Sequence, residues 1–186
     1  AGDQFGFSVA FLNADIIVIG APGDDVPTLT TPIIDGGSIY LFEMDPTIGR
    51  YQQKYIVSPG NIETGDRFGS SVGGEIDLII AGAPHHTKNL IGGGTLEDAG
   101  SAWIYKWRNN GAPLLQDKRV ASDRGVGDLF GWDVDVENGG WAVVGAPFED
   151  PSVGGGTGSI SNSGSAYIFR RPSATSPWSQ NAKLSG

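Results

Sequence analysis

Three phrases recur in the same order three times along this chain, and their period constrains the fold more than any other feature. The first reads Gly2-Asp3-Gln4-Phe5-Gly6-Phe7-Ser8-Val9, then Gly65-Asp66-Arg67-Phe68-Gly69-Ser70-Ser71-Val72, then Gly127-Asp128-Leu129-Phe130-Gly131-Trp132-Asp133-Val134. The second is an apolar run closed by Gly-Ala-Pro, at Ile16 to Pro22, Leu78 to Pro84 and Trp141 to Pro147. The third is Gly37-Ser38-Ile39-Tyr40-Leu41-Phe42, Gly100-Ser101-Ala102-Trp103-Ile104-Tyr105 and Gly164-Ser165-Ala166-Tyr167-Ile168-Phe169. Equivalent positions lie 62 to 64 residues apart. A fixed period of this size marks a repeat architecture, in which each unit buries its faces against its neighbours. The units are residues 1–62, 63–124 and 125–186 of one continuous domain.

Each unit carries four strand signals separated by turn signals. The first alternates small or polar with apolar residues, over Phe7 to Phe11, Ser70 to Val72 and Trp132 to Val136. The second is the continuously apolar run, which suits a strand covered on both faces. The third ends at Phe42, Tyr105 or Phe169, and the fourth, more polar, covers Tyr51 to Val57, Leu114 to Ala121 and Trp178 to Leu184. Polar residues on the last strand discourage stray edge pairing. No segment shows a helical period. The expectation is an all-β chain of three four-stranded antiparallel blades, a partial β-propeller or half of a six-bladed ring.

Composition removes several functions. With 12 Lys+Arg against 21 Asp+Glu, the net charge is -9, and there is no cationic cluster to displace the counterions of a nucleic acid. Apolar runs of four or five residues are far short of the roughly 20 that span a bilayer, so membrane insertion is not expected. Residue 1 already stands at the start of a repeat, with no signal segment before it, as a trimmed or excised chain would. Cysteine is absent, which rules out disulfides and thiolate chemistry.

The spaced phrases Phe-Gly, Gly-Ala-Pro and Gly-Ser-x-Tyr/Trp resemble the FG-GAP repeats of integrin α-subunit propellers. They are most similar to the calcium-free variety found in tandem in bacterial and algal surface proteins. That resemblance implies an extracellular or cell-surface module. Calcium-binding members carry Asp-x-Asp-x-Asp-Gly in the hairpin joining the first two strands. Here those hairpins read Leu12-Asn13-Ala14-Asp15, Gly74-Glu75-Ile76-Asp77 and Glu137-Asn138-Gly139-Gly140, so a calcium site is not expected there and no cofactor is called for, while Asp24, Asp25, Glu149 and Asp150 could supply oxygen ligands to a calcium ion if their loops converge. The glycines of the Phe-Gly pairs permit close backbone approach near the axis, the phenylalanines plug the gaps between blades, and Asp3, Asp66 and Asp128 accept backbone N–H bonds in the turn.

Chemistry that differs between copies sits after Gly-Ala-Pro, in connections running Gly23 to Gly36, His85 to Ala99 and Phe148 to Ser163. Connections of this length without structure of their own are commonly functional. By the resemblance they crowd one face of the disc. The candidate ligand-face residues are Asp24, Asp25, His85, His86, Glu97, Asp98, Glu149 and Asp150. The adjacent histidines could ligate a metal, but neighbours in an extended loop point opposite ways and no third ligand joins them. Gly92-Gly93-Gly94 and Gly154-Gly155-Gly156 lack the Lys-Ser/Thr and helix of a phosphate cradle. No nucleophile–base arrangement is present. Of the tryptophans, Trp103, Trp132 and Trp141 are expected in the core, and Trp107 and Trp178 at freer positions.

The expected function is non-enzymatic: a binding or adhesion module whose loops meet a protein or glycan partner. The alternative is a structural block that self-associates into a ring or filament, since blades 1 and 3 are each expected to leave a largely apolar face without a neighbour.

Overall fold

A computed structural model describes residues 2–89, 93–109, 111–150 and 161–185. Among them three four-stranded antiparallel sheets form, each in simple meander order. Blade 1 comprises β1 (Ser8–Phe11), β2 (Ile16–Ala21), β3 (Ser38–Asp45) and β4 (Arg50–Val57). Blade 2 comprises β5 (Ser71–Glu75), β6 (Leu78–Ala83), β9 (Ser101–Arg108) and β10 (Gly111–Arg119), with a small hairpin of β7 (Lys88–Asn89) and β8 (Thr95–Leu96) in its loop. Blade 3 comprises β11 (Val134–Glu137), β12 (Trp141–Ala146), β13 (Ser165–Arg170) and β14 (Ser179–Ser185). No helix among the described residues is long and apolar enough to cross a membrane.

The repeated phrases explain this shape locally. The second strands β2, β6 and β12 all stop at the alanine before proline, because proline has no N–H to continue the ladder. Within Gly-Asp-x-Phe-Gly, the residue before phenylalanine adopts a left-handed conformation in every copy, with φ of 56° at Gln4, 56° at Arg67 and 54° at Leu129. The glycine after the phenylalanine also has positive φ in every copy, 91° at Gly6, 86° at Gly69 and 94° at Gly131. At Gly69 a side chain would press on the carbonyl of Ser38, which confirms the close backbone approach.

Two apolar clusters lie between blades. The first joins Val18, Ile39 and Leu41 of blade 1 to Phe68, Ile79, Trp103 and Tyr105 of blade 2. The second joins Leu78, Ile80 and Ile104 of blade 2 to Phe130, Val144, Tyr167 and Phe169 of blade 3. Alternate residues of one strand therefore serve opposite neighbours: Leu78 and Ile80 face blade 3, Ile79 and Ala81 face blade 1. In β6 that is the physical reason for the unbroken apolar run, whereas alternate residues of β12, Trp141 and Val143, are exposed. Phe68 and Phe130 are 0 % exposed plugs, each meeting the two aromatic rings of its own third strand edge-on. Backbone bonds staple the same junctions. Gly65, Arg67 and Phe68 donate to the carbonyls of Ile34, Asp35 and Gly36 at 2.9–3.1 Å, and Gly127, Leu129 and Phe130 donate to those of Glu97, Asp98 and Ala99.

Several expectations need correction. The first strands begin one or two residues later than expected in each blade, and β5 runs on through Gly73 and Gly74 to Glu75, leaving Ile76-Asp77 as the turn. Those glycines read as a turn in sequence, but they occupy a strand because neighbours press on both sides. A side chain at Gly74 would sit 3.3 Å from Leu12, and one at Gly73 would sit 3.0 Å from Asp135 Cα. The connections after Gly-Ala-Pro do carry structure: a Val26–Ile33 bridge closes the first, and β7–β8 forms in the second. The end faces also differ from one another. Blade 1 shows Phe5, Val9 and Phe11, whereas blade 3 sets Asp135 and Glu137 of its inner strand beside the exposed Trp141, Val143 and Leu184, a mixed face where a largely apolar one was expected.

Candidate functional site

The residue two places after each Gly-Ala-Pro proline anchors its loop. Asp24, His86 and Glu149 each donate N–H to the alanine of that motif and accept the N–H of the glycine opening the third strand (Gly37, Gly100 and Gly164). Their side chains turn onto the blade. Asp24 accepts the Tyr40 hydroxyl at 2.9 Å. Glu149 accepts Lys183 Nζ at 2.7 Å and the Ser165 hydroxyl at 2.7 Å, while Lys183 also reaches Asp123 at 2.8 Å. His86 accepts Lys118 Nζ at 2.8 Å, and that ammonium lies 4.4 Å over the Trp103 ring. His86 and Glu149 are buried. These three candidates are loop ties, and the cluster around His86 is the blade 2 version of the Lys183 network in blade 3.

Asp25 and Asp150 have a related task. Each accepts the N–H of a left-handed residue at the far end of its loop, Asp35 at 3.1 Å and Asn162 at 2.6 Å, while Thr87 does the same for Asp98. A carboxylate or hydroxyl there closes the loop base as an Asx-type turn would. Glu97 is exposed and contributes its carbonyl to blade 3. Asp66 and Asp128 are buried and accept N–H from Glu63 and Gly125, as expected of the turn.

Of the candidates, His85 faces a cleft. Its Nδ1 lies 3.1 Å from Asp98 Oδ1, and its ring shares the cleft with Gln4, Phe7, Pro22, Arg67, Ser70, Pro84 and Trp132. Three of these hold the position after Phe-Gly in successive copies: Phe7, Ser70 and Trp132. The small middle residue and large outer ones leave a recess of about 200 Å³ bounded by two aromatics. Phe7 is 62 % and Trp132 51 % exposed, and Phe148 meets the Trp132 ring edge-on at 6.3 Å. Arg67 makes no ion pair among the described residues. Among the described residues, Arg67 lines the cleft without an ion-pair partner and no carboxylate lines it beside it, in a chain of net charge -9.

The tryptophans fall differently from expectation. Trp103 is buried as expected, but Trp132 and Trp141 are exposed, and Trp107 and Trp178 are buried. Trp107 packs edge-on with Tyr55 of blade 1 across the rim, and Arg171 covers Trp178. The strand-phrase rule failed for Trp132 because β11 starts after it. A comparison of the position after Phe-Gly across copies would have found it, since only the middle copy is small there. Gly92 and Gly154 to Gly156 lie outside the described residues. Among the described residues no group of three or more His, Asp or Glu side chains is arranged to hold a metal ion.

Burial pushes the His86 imidazole down from 6.5 to about 4, with the charges of Lys118 and Arg124 adding to the shift. The unfolded chain therefore takes up a proton below about pH 6.5 that the folded chain refuses until about pH 4. Stability due to neutral His86 is present above the unfolded value and is lost as the pH falls through that window. His86→Gln is expected to flatten the acid limb of a stability–pH profile measured by urea unfolding between those values. An unchanged slope would show that His86 titrates normally.

A model of the family described as FG-GAP repeat matches residues 1–42 and 115–169, just over half of the chain. No curated protein matches it.

Proposed function

Because the chain belongs to the FG-GAP repeat family, whose repeats are typical of binding and adhesion modules in extracellular or surface proteins, we propose that it is a non-enzymatic binding module working outside the cell or at its surface. Its partner is a glycan held in the cleft between Phe7 and Trp132. The observation that carries this reading is the pair of half-exposed aromatic walls around Arg67. Ligand sites are typically apolar recesses with a few placed polar groups. A pyranose presents C–H groups to an aromatic ring and hydroxyls at its edge, where Gln4, Ser70 and His85 stand. Arg67 adds a planar fork suited to a carboxylate, so the sugar is an acidic one, of the uronate class. A flat protein epitope would not need so narrow a recess.

Titration calorimetry with tetragalacturonate and with neutral maltotetraose tests this. Tetragalacturonate is expected to bind more tightly. Trp132→Ala should weaken it by about ten-fold or more, the usual cost of losing an aromatic anchor. Arg67→Gln should erase the preference over the neutral sugar. Binding by the parent chain that survives Trp132→Ala unchanged would place the ligand elsewhere.

A further inference from the structure

The two internal junctions share one set of complementary parts. The giving face offers a serine hydroxyl, a small inner-strand residue, an aliphatic ridge and three loop carbonyls. In blade 1 the hydroxyl is Ser8, which donates to the carbonyl of Gly69 at 2.8 Å, and in blade 2 it is Ser71, which donates to Gly131 at 2.8 Å. Two positions further on stand Ala10 and Gly73. The receiving face answers with the phenylalanine plug, two third-strand aromatics and the N–H groups of its first phrase.

Blade 1 repeats the receiving half without a giver. Phe5 stands edge-on to Tyr40 at 5.1 Å and to Phe42 at 6.0 Å, as Phe68 and Phe130 stand to their own partners. Yet Phe5 is 54 % exposed, and Val9 and Phe11 are exposed beside it. The N–H groups of Gln4 and Phe5, which correspond to Arg67 and Phe68, have no acceptor among the described residues. In blade 3 the carbonyls of Asn162 and Ser163, which correspond to Asp98 and Ala99, likewise accept no bond among them.

Blade 3 nonetheless does not complete the set. Where Ser8 and Ser71 donate, it carries Asp133, and where Ala10 and Gly73 make room, it carries Asp135. Set against blade 1 of a second copy, Asp133 would confront the carbonyl of Gly6, one acceptor against another. Asp135 would be pressed against Val9 and Phe11, and burying a carboxylate without a partner is strongly unfavourable, whereas Glu137 holds the place of Glu75, which accepts the Asn138 N–H across the blade 2–blade 3 junction. A β-carbon at Gly73 would already sit 3.0 Å from Asp135 Cα of blade 3, so a side chain as long as aspartate crowds that place.

We propose that the open face of blade 1 is the socket for a further blade of this repeat type, one with a hydroxyl and a small residue where blade 3 has Asp133 and Asp135. Blade 3 of a second copy is excluded from it by those two carboxylates. Replacing them by the blade 2 residues, in Asp133→Ser/Asp135→Gly, makes blade 3 such a giver.

Sedimentation velocity over a concentration series, with circular dichroism to confirm that each chain is folded, tests the assignment. The double variant is expected to self-associate about ten-fold or more tightly than the parent chain. Adding Phe11→Asp, which spoils the socket, should abolish that gain. A double variant that associates no more tightly than the parent, or a gain that survives Phe11→Asp, overturns the proposal.

Discussion

Gly100→Ala is expected to destabilise the chain by at least about 3 kcal/mol. Gly100 opens the third strand of blade 2 with φ of 78°, a conformation that costs an alanine roughly 1–2 kcal/mol by itself. Its α-carbon also lies against the backbone of Phe130 in the next blade, so a β-carbon would overlap the Phe130 carbonyl. Backbone cannot rotate aside as a long side chain can. Relief requires the two blades to separate, which loosens the Phe130 plug and the bonds from Leu129 and Phe130 to the blade 2 loop. Gly60→Ala is the matched control, because nothing lies within 4 Å of the added carbon. It should change stability by no more than about 0.5 kcal/mol. Urea unfolding of the two variants checks both values, and equal effects would mean that blades 2 and 3 do not meet at Gly100.

Phe68→Ala is expected to cost about 3–5 kcal/mol, the range for a buried phenylalanine whose site cannot collapse. Its ring is 0 % exposed between blades 1 and 2 and stands edge-on to Trp103 at 5.4 Å and Tyr105 at 6.3 Å. Truncation removes apolar burial and both ring contacts, and neighbours held by two sheets cannot close the void. In a chain of this size each kcal/mol lowers the melting temperature by roughly 2–4 °C, so thermal unfolding resolves the loss easily. A shift of only a few degrees would show that the ring is not a plug.

Much of the scaffold was legible before any coordinates. Phase-locked phrases reveal repetition directly, and Gly-Ala-Pro and Phe-Gly mark backbone events that depend on residue type alone. The site was less legible. Asp24, His86 and Glu149 look like loop chemistry because they differ in every copy. Their side chains vary with their partners, the Tyr40 hydroxyl for Asp24, Lys118 and the Trp103 ring for His86, and Lys183 with Ser165 for Glu149, while their common role lies in the backbone. Trp132 and Phe7 were hidden by the opposite error, since they occupy a repeated phrase and so read as scaffold. Arg67 gave no signal at all, because its neighbourhood is assembled from three blades. Gly73 and Gly74 show the limit of local rules: glycine announces a turn unless a neighbouring sheet presses on it.

The stacking of blades, with one face of blade 1 left as an open socket, is tested most directly by Phe5→Ala measured beside Phe130→Ala. The two rings hold the same place in the same phrase and meet their own third-strand aromatics in the same edge-on manner, at 5.1 Å for Phe5 and 5.3 Å for Phe130. They differ in having a neighbouring blade, since Phe130 is 0 % and Phe5 54 % exposed. By urea unfolding at a concentration where the chain is monomeric, Phe130→Ala should lose about 3–5 kcal/mol and Phe5→Ala only about 1 kcal/mol, in proportion to the smaller area it buries. Equal losses would contradict the account, because Phe5 would then be as enclosed as the ring between blades 2 and 3.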